Sequence, residues 1–468
     1  MNFLSFDLTA FIEQLPGAAN PLSAMLILFL NGGWIAFIVT ILWASWQGYL
    51  EYIRNRYNEA MEFVLLAIDI PKNNEQSPKA VEHIFSHLYG IEKLGNLKER
   101  YIQGYTQPSI SLEIVSIEGY IQFLIRTPRD FRDLVEAAIY AQYPDAEITE
   151  VEDYVDLLPK PLEFPHAEYD IWASQFTLAK KDIYPLRTYP FFEHSLSQKF
   201  MDPMASILEL LSRMGPGEQF WLQLVIAPLN PSWRDKGIAE IKRLIGKKEE
   251  KKKNIDFWYF PGQIGKGLTE SITASIIPPT EMDRAKQQKQ EREWPSMMQH
   301  LSPDEREIVE SIGMKIAKLG FMTKMRFIYG AKKEVLSKAK GVDGFIGAIS
   351  QFSTQNLNRI IINRKTRTKI DYFFIKPRLL SRKRRILWAY RYRSMKRGRK
   401  GFILNTEELA TIWHFPIAEV VKAPSVQKVE AKKGQPPMGL PLEEQRIFVK
   451  TPTESPKNAI PPTNLPIK

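Results

Sequence analysis

Apolar residues follow three different spacings along this chain. From Pro21 to Trp46 (PLSAMLILFLNGGWIAFIVTILWASW) they run together, and no charged side chain occurs from Gln14 to Leu50. A helix needs about 20 apolar residues to cross roughly 30 Å of hydrocarbon, so the run predicts a single transmembrane helix over residues 21–50, after a short segment 1–20. From Glu62 the spacing changes to that of short strands and amphipathic helices. Phe63 to Ile70 reads as a strand closed by Pro71, and Ser77-Pro78 supplies an N-cap and first-turn proline. The helix that follows carries Val81, Ile84, Phe85 and Leu88 on one face. Ile110 to Ile117 and Tyr120 to Arg126 read as a hairpin across Glu118-Gly119. Thr127-Pro128 opens a second helix, capped with help from Asp130, with the stripe Phe131, Leu134, Val135, Ala138 and Ile139. Tyr143-Pro144-Asp145 then turns into a strand near Glu147 to Val151. The order over residues 60–155 is β-α-β-β-α-β, the ferredoxin-like arrangement.

A related order begins again within residues 165–420. Ile171 to Leu178 reads as a strand. The next helix starts at Asp202-Pro203, bears Ile207, Leu208, Leu210, Leu211 and Met214, and stops at Gly215. Gln219 to Ala227 is the next strand. A helical insertion over about residues 232–319 interrupts the unit: Ser232 and Asp235 cap a helix ending at Gly246, and Lys247 to Lys253 is a charged linker. After the polar stretch Thr280 to Glu293, Ser302-Pro303-Asp304-Glu305 opens another helix. Phe321 to Tyr329 is strand-like, and Lys332 to Phe352 is helical with a weak point at Gly341 to Gly347. The fold class expected is therefore α+β: one transmembrane helix, two ferredoxin-like modules, and a Pro-rich tail over 424–468 that is disordered or extended.

Charge and composition add location. Arg54 and Arg56 follow the apolar run, whereas the first fifteen residues carry Asp7 and Glu13 but no Lys or Arg. A cleaved signal peptide does not fit such a start, and the Lys/Arg bias places the N-terminus outside and the bulk of the chain on the cytoplasmic side of the inner membrane. The net charge of +11 is modest for 468 residues. Cysteine is absent, which excludes disulfides, thiolate catalysis and Cys-based zinc or iron–sulfur sites.

Enzyme signatures fail on their own chemistry. Gly262-Gln263-Ile264-Gly265-Lys266-Gly267 lacks the spacing and the hydroxyl of a phosphate-binding loop and reads as a turn. His83 and His87 have the i, i+4 spacing of two zinc ligands, but Ile84 stands where a metalloprotease needs glutamate, and they lie opposite the apolar stripe. His166, His194, His300 and His414 are scattered. No catalytic residue, cofactor or metal is expected. The stronger signal is residues 364–400, which hold sixteen Lys/Arg against the single acid Asp371. The polyanion-binding candidates are Arg382, Lys383, Arg384, Arg385, Trp388, Arg391, Arg393, Lys396, Arg397, Arg399 and Lys400. Such cations neutralise phosphates while aromatic faces stack on bases or sit at lipid headgroups. Nucleic acid, anionic lipid, and a solvated face or protein contact remain open as readings of this segment.

The segments AIDIPKNNEQSP (67–78), AAIYAQYPDAEITEVEDY (137–154), FILNTEELATIWHFP (402–416) and PSVQKVEAKKGQPP (424–437) carry a resemblance. The chain resembles, from about residue 22 to 440, the N-terminal region of membrane-anchored proteins of reduced-genome bacteria that are similar to the HerA/FtsK-type ATPases of conjugation and type IV secretion. The resemblance implies an anchored adaptor without the motor domain, working with a separate motor ATPase. ATP hydrolysis is not carried over. Asn405, Thr406, Glu407 and Glu408 match the family segment, and their own chemistry reads as an N-cap and first helical turn.

Overall fold

The structure is a computed structural model that describes residues 29–30, 34–71, 74–192, 201–246 and 301–417. Outside the described residues lie the segment 1–20, much of the apolar run before Trp34, the linker at 247–253, the glycines at 262–267, the polar stretch at 280–293, His194, His300 and the Pro-rich tail.

Helix α1 (Trp34–Glu59) leads into β1 (Phe63–Asp69), α2 (Pro78–Leu88) and the short α3 (Leu97–Tyr101). Then come β2 (Ile110–Ile117), β3 (Tyr120–Pro128), α4 (Arg132–Tyr140) and β4 (Glu147–Glu150). The second half runs β5 (Tyr169–Leu178), α5 (Met204–Ser212), β6 (Glu218–Pro228), α6 (Arg234–Leu244), α7 (Pro303–Ala317) and β7 (Gly320–Lys332). It ends with α8 (Gly344–Ser350), β8 (Ile360–Ile362), α9 (Ile375–Arg391), β9 (Phe402–Asn405) and α10 (Thr406–Ile412). The fold is α+β.

Local signals set most of these boundaries. Pro78 stands in the first turn of α2 as expected, but Ser77 makes no side-chain cap bond. At α7 the capping box is complete, with Ser302 and Glu305 each accepting the other's backbone N–H. Two starts differ from the sequence reading. β3 continues through Pro128, so α4 begins only after a 3-10 turn and without an Asp130 cap. At α6, Asn230 accepts from the Ser232 N–H, so the asparagine side chain organises the turn.

All nine strands join one antiparallel sheet in the order β4-β1-β3-β2-β6-β7-β5-β8, with β9 beside the start of β7. Each half shows the same internal order, fourth-first-third-second. The two second strands meet in the middle, from Ile110↔Ile226 to Ile117↔Gln219. In the first half the hairpin closes tightly at Glu118 and Gly119, both at positive φ. In the second half α6 and α7 lie between the corresponding strands β6 and β7.

The sheet is covered on both faces, which is why its central strands are almost wholly buried; all of β6 is buried. On one face α2, α4, α5, α8 and α10 pack Phe85, Val135, Leu208, Phe345 and Trp413 into a continuous core. On the other, α9 and the segment 154–164 set Ile386, Leu387, Tyr390, Tyr154 and Phe164 against Leu65, Val115, Trp221 and Ile328. A smaller core of Ile183, Trp233, Ile312, Ile316 and Ile403 lies under α6 and α7. The segment 402–415 closes the first core. Asn405 caps α10 through the Glu408 N–H, and Glu408 also accepts from the Leu186 N–H and from Lys315, all three side chains being buried.

Candidate functional site

The basic segment is the second-face cover of the sheet. Within α9, Ile386, Leu387, Ala389 and Tyr390 are buried at helical spacing and hold the helix down, so the cations between them are distributed around a packed element. Most of the candidates are committed to the protein itself. The Arg382 guanidinium donates to the carbonyls of Arg364, Arg367 and Lys369 at 3.4, 3.0 and 2.7 Å. Lys383 pairs with Asp170, Arg384 donates to the Phe164 carbonyl, and Arg391 pairs with Asp156 and the Val155 carbonyl. Trp388 stacks on Tyr392 at 4.2 Å, with the Arg397 guanidinium 3.5 Å from its ring centroid. Lys396 pairs with Glu51 of α1 at 3.1 Å.

Arg393 is the most deeply committed. It makes a two-point pair with Glu113 of β2 at 3.0 and 3.1 Å and donates to Asp153 at 2.5 and 2.8 Å. Glu113 also accepts from Ser111, Tyr154 and Gln223 at 2.6, 2.8 and 3.0 Å. Burial alone would raise the Glu113 carboxyl, but the Arg393 charge and the surrounding donors outweigh it and hold the group below the ordinary value of 4.5. Beside this pair, Arg326 donates to Gln223 and to the Ser394 and Arg397 carbonyls, and Lys324 donates to the Arg397 carbonyl. Burial, with Arg326 adding its charge, pushes Lys324 down to about 8. This network pins the loop after α9 onto the sheet.

The cations left over form a smaller set. Arg385, Arg399 and Lys400, together with Arg364, Lys365 and Lys376, are exposed, and their side chains have no hydrogen-bond or ion-pair partner among the described residues. Of the eleven candidates the structure thus leaves three unengaged. No sequence signal marks the buried partners Glu113 and Arg326 or the exposed Asp153; the apolar positions inside the basic run are the signal that it packs.

Two exposed apolar features flank this surface. Every residue of α1 from Trp34 to Tyr49 is exposed, whereas Leu50 and Ile53 are buried and Trp46 stacks on Tyr101 at 6.2 Å. Tyr57 meets Tyr105 edge-on, and Asn58 accepts from Thr106 at 2.6 Å, so the last turns of α1 dock on the loop after α3. Gly104 at φ +73° fits there because a Cβ would lie 2.3 Å from the Ile53 carbonyl oxygen. Arg54 and Arg56 lie on these same turns. At the start of α9, Tyr372, Phe373, Phe374 and Ile375 are exposed to 75, 81, 80 and 49 %, and no sequence motif marks them.

No helix among the described residues is long and apolar enough to cross a membrane, α1 being described only from Trp34. Among the described residues no group of three or more His, Asp or Glu side chains could hold a metal ion. His83 and His87 sit on the surface of α2, His166 accepts from the Glu168 and Tyr169 N–H groups, and His414 is buried against Asp202 at 2.9 Å. A comparison with curated proteins finds no match to the chain. A family model does match, over residues 66–428, which takes in the whole sheet from the middle of β1, both covering layers and the basic segment, and the chain therefore belongs to the family described as domain of unknown function DUF8128.

Proposed function

We propose that this chain is a non-catalytic scaffold held at the cytoplasmic face of the inner membrane by a single N-terminal span. The observation that carries the reading is α1: its apolar half stands free of the body while its charged half is docked on it. Burying a large apolar side chain is worth about 1.5–3 kcal/mol, so a row of them exposed at one helix end calls for a covering phase. Each half of the sheet is read as a ferredoxin-like module, which its fourth-first-third-second strand order supports. The sequence resemblance supports placing the scaffold in a conjugation or type IV secretion-like apparatus beside a separate motor ATPase.

The test is extraction of the full chain from cell membranes. Alkaline carbonate should leave it in the pellet, and replacing Ile38, Ile41 and Leu42 by Asp should release it to the supernatant. Release of the unaltered chain would refute the anchor. Recovery of no ATPase or transfer component with the detergent-extracted chain would refute the assignment to a transfer machine.

A second reading is a membrane-proximal polyanion-binding module. The unengaged cations Arg385, Arg399 and Lys400 favour it, since paired cations have already spent their charge inside the fold. Its test is salt-dependent binding of DNA or acidic liposomes, lost in an Arg385/Arg399/Lys400→Ala variant; undiminished binding in that variant would overturn it.

A further inference from the structure

We propose that Tyr372–Ile375 is a second membrane contact, an aromatic tip that inserts into the headgroup region of an anionic bilayer. The proposal rests on the anchored reading to bring the tip to the bilayer, and it assigns a surface that the anchor does not explain.

Three observations carry it. The first is the exposure: three consecutive aromatic rings and an isoleucine project from the start of α9 with little packed against them. The second is that their display is built. Phe373 and Phe374 both adopt positive φ, 41° and 49°, a conformation bulky side chains rarely take. The Arg378 guanidinium holds it by donating to the Tyr372 and Phe373 carbonyls at 2.9 and 3.1 Å. Below the tip, Arg382 gathers three carbonyls of the same loop, and Thr368 exchanges hydrogen bonds with the Ala173 backbone at 2.9 and 3.0 Å. The rings are turned outward on a fastened base.

The third is charge. Residues 364–382 hold seven Lys/Arg and one acid, Asp371, which is already paired with Arg367 and Lys369. Lys376, next to the tip in the chain, and Arg364 and Lys365, in the loop below it, are exposed and have no partner among the described residues. Apolar side chains with unpaired cations in the same loop and the next helical turn match a surface whose outer layer is anionic and whose interior is hydrocarbon. Nucleic acid fits less well. A base stacks on one face of a ring set in a groove, whereas these rings are solvated nearly all round.

The test uses the full chain, which has no cysteine of its own. A single cysteine at Phe374 (F374C), and a control at exposed Met314 (M314C) on α7, each carry an environment-sensitive fluorophore. The chains are mixed with phosphatidylcholine vesicles or with vesicles containing phosphatidylglycerol. Expected is a blue-shifted, brighter signal at position 374 with phosphatidylglycerol, quenched by lipid-borne spin labels, weakened by high salt and absent at 314. The double variant F373S/F374C should need about tenfold more anionic lipid for the same signal, the loss of one inserted ring. The proposal is overturned if position 374 responds like 314 in both vesicles. It is equally overturned if position 374 responds to a single-stranded oligonucleotide and not to phosphatidylglycerol. Flotation with pure phosphatidylcholine vesicles reads the anchor separately: a chain that floats while position 374 stays in water keeps the anchor and loses the tip.

Discussion

Replacing Arg393 by methionine removes the cation but keeps most of the packing volume, leaving Glu113 buried on the sheet with only neutral donors. Five hydrogen bonds disappear with the guanidinium, two to Glu113, two to Asp153 and one to the Arg391 carbonyl. Breaking a buried pair by removing one partner costs about 3–5 kcal/mol. Ser111, Tyr154 and Gln223 remain to solvate the carboxylate, which places the expected loss near the lower end, about 3 kcal/mol. The pH dependence separates this from a general packing defect. With Arg393 present, the Glu113 carboxyl is held below its ordinary value of 4.5, so its stabilising contribution is complete above that pH and is lost as pH falls below it. Without Arg393 burial dominates and the carboxyl rises above its unfolded value. The variant then binds a proton on folding and gains stability as pH falls from neutrality toward 5. Urea unfolding followed by tryptophan fluorescence, with buried Trp221 5.0 Å from the Tyr154 ring, measures both. A loss under about 1 kcal/mol, or one that does not shrink between pH 8 and pH 5, would refute the account of this pair.

Four further outcomes are expected. Lys315→Met strands Glu408 in a pair whose side chains are both fully buried, and should cost about 3 kcal/mol in the same unfolding assay, with part regained in Lys315→Met/Glu408→Gln. Lys324→Met should be neutral or stabilising by about 1 kcal/mol at pH 7, because Arg326 still serves the Arg397 carbonyl. The unaltered chain should gain stability as pH rises from about 8 toward 10.5, where the depressed ammonium no longer opposes folding, and the variant should lack that rise. Gly104→Ala must push the loop from the Ile53 carbonyl, so trypsin should cut faster at Arg54 and Arg56 while urea unfolding of the sheet stays unchanged. Arg382→Ala should lower the unfolding midpoint by removing three carbonyl contacts, whereas Arg385→Ala should leave it within about 0.5 kcal/mol.

The period of the apolar residues made the individual elements readable, because strands and helices each bury one face and their spacing records it. Val81, Ile84, Phe85 and Leu88 of α2 are buried as the spacing required, and the 302–305 capping box begins α7. What the period cannot carry is which strand edges meet. The pairing of β2 with β6 joins residues more than a hundred positions apart, and nothing local marks it. The basic run was opaque for another reason. Its charge masks its periodicity: Ile386, Leu387, Ala389 and Tyr390 repeat at helical spacing inside it, so the segment is a packed layer whose arginines largely face carbonyls and carboxylates of the same chain. At 405–408 local chemistry was sufficient, since an asparagine followed three residues later by glutamate makes the capping box seen at α10.

The closing segment 402–415 also sets the order of events during synthesis. Trp413 packs 6.2 Å from Phe85 and 5.8 Å from Phe123, β9 completes the edge of β7, and the Asn74 side chain donates to the Pro416 carbonyl at 3.0 Å. The earliest strands of the first half therefore wait for nearly the last described residues before their core is sealed. At 5–20 residues per second, that interval on a ribosome is on the order of tens of seconds. For all of that time Phe85 and Phe123 lack the indole that covers them, and this part of the core stays open until Trp413 has emerged.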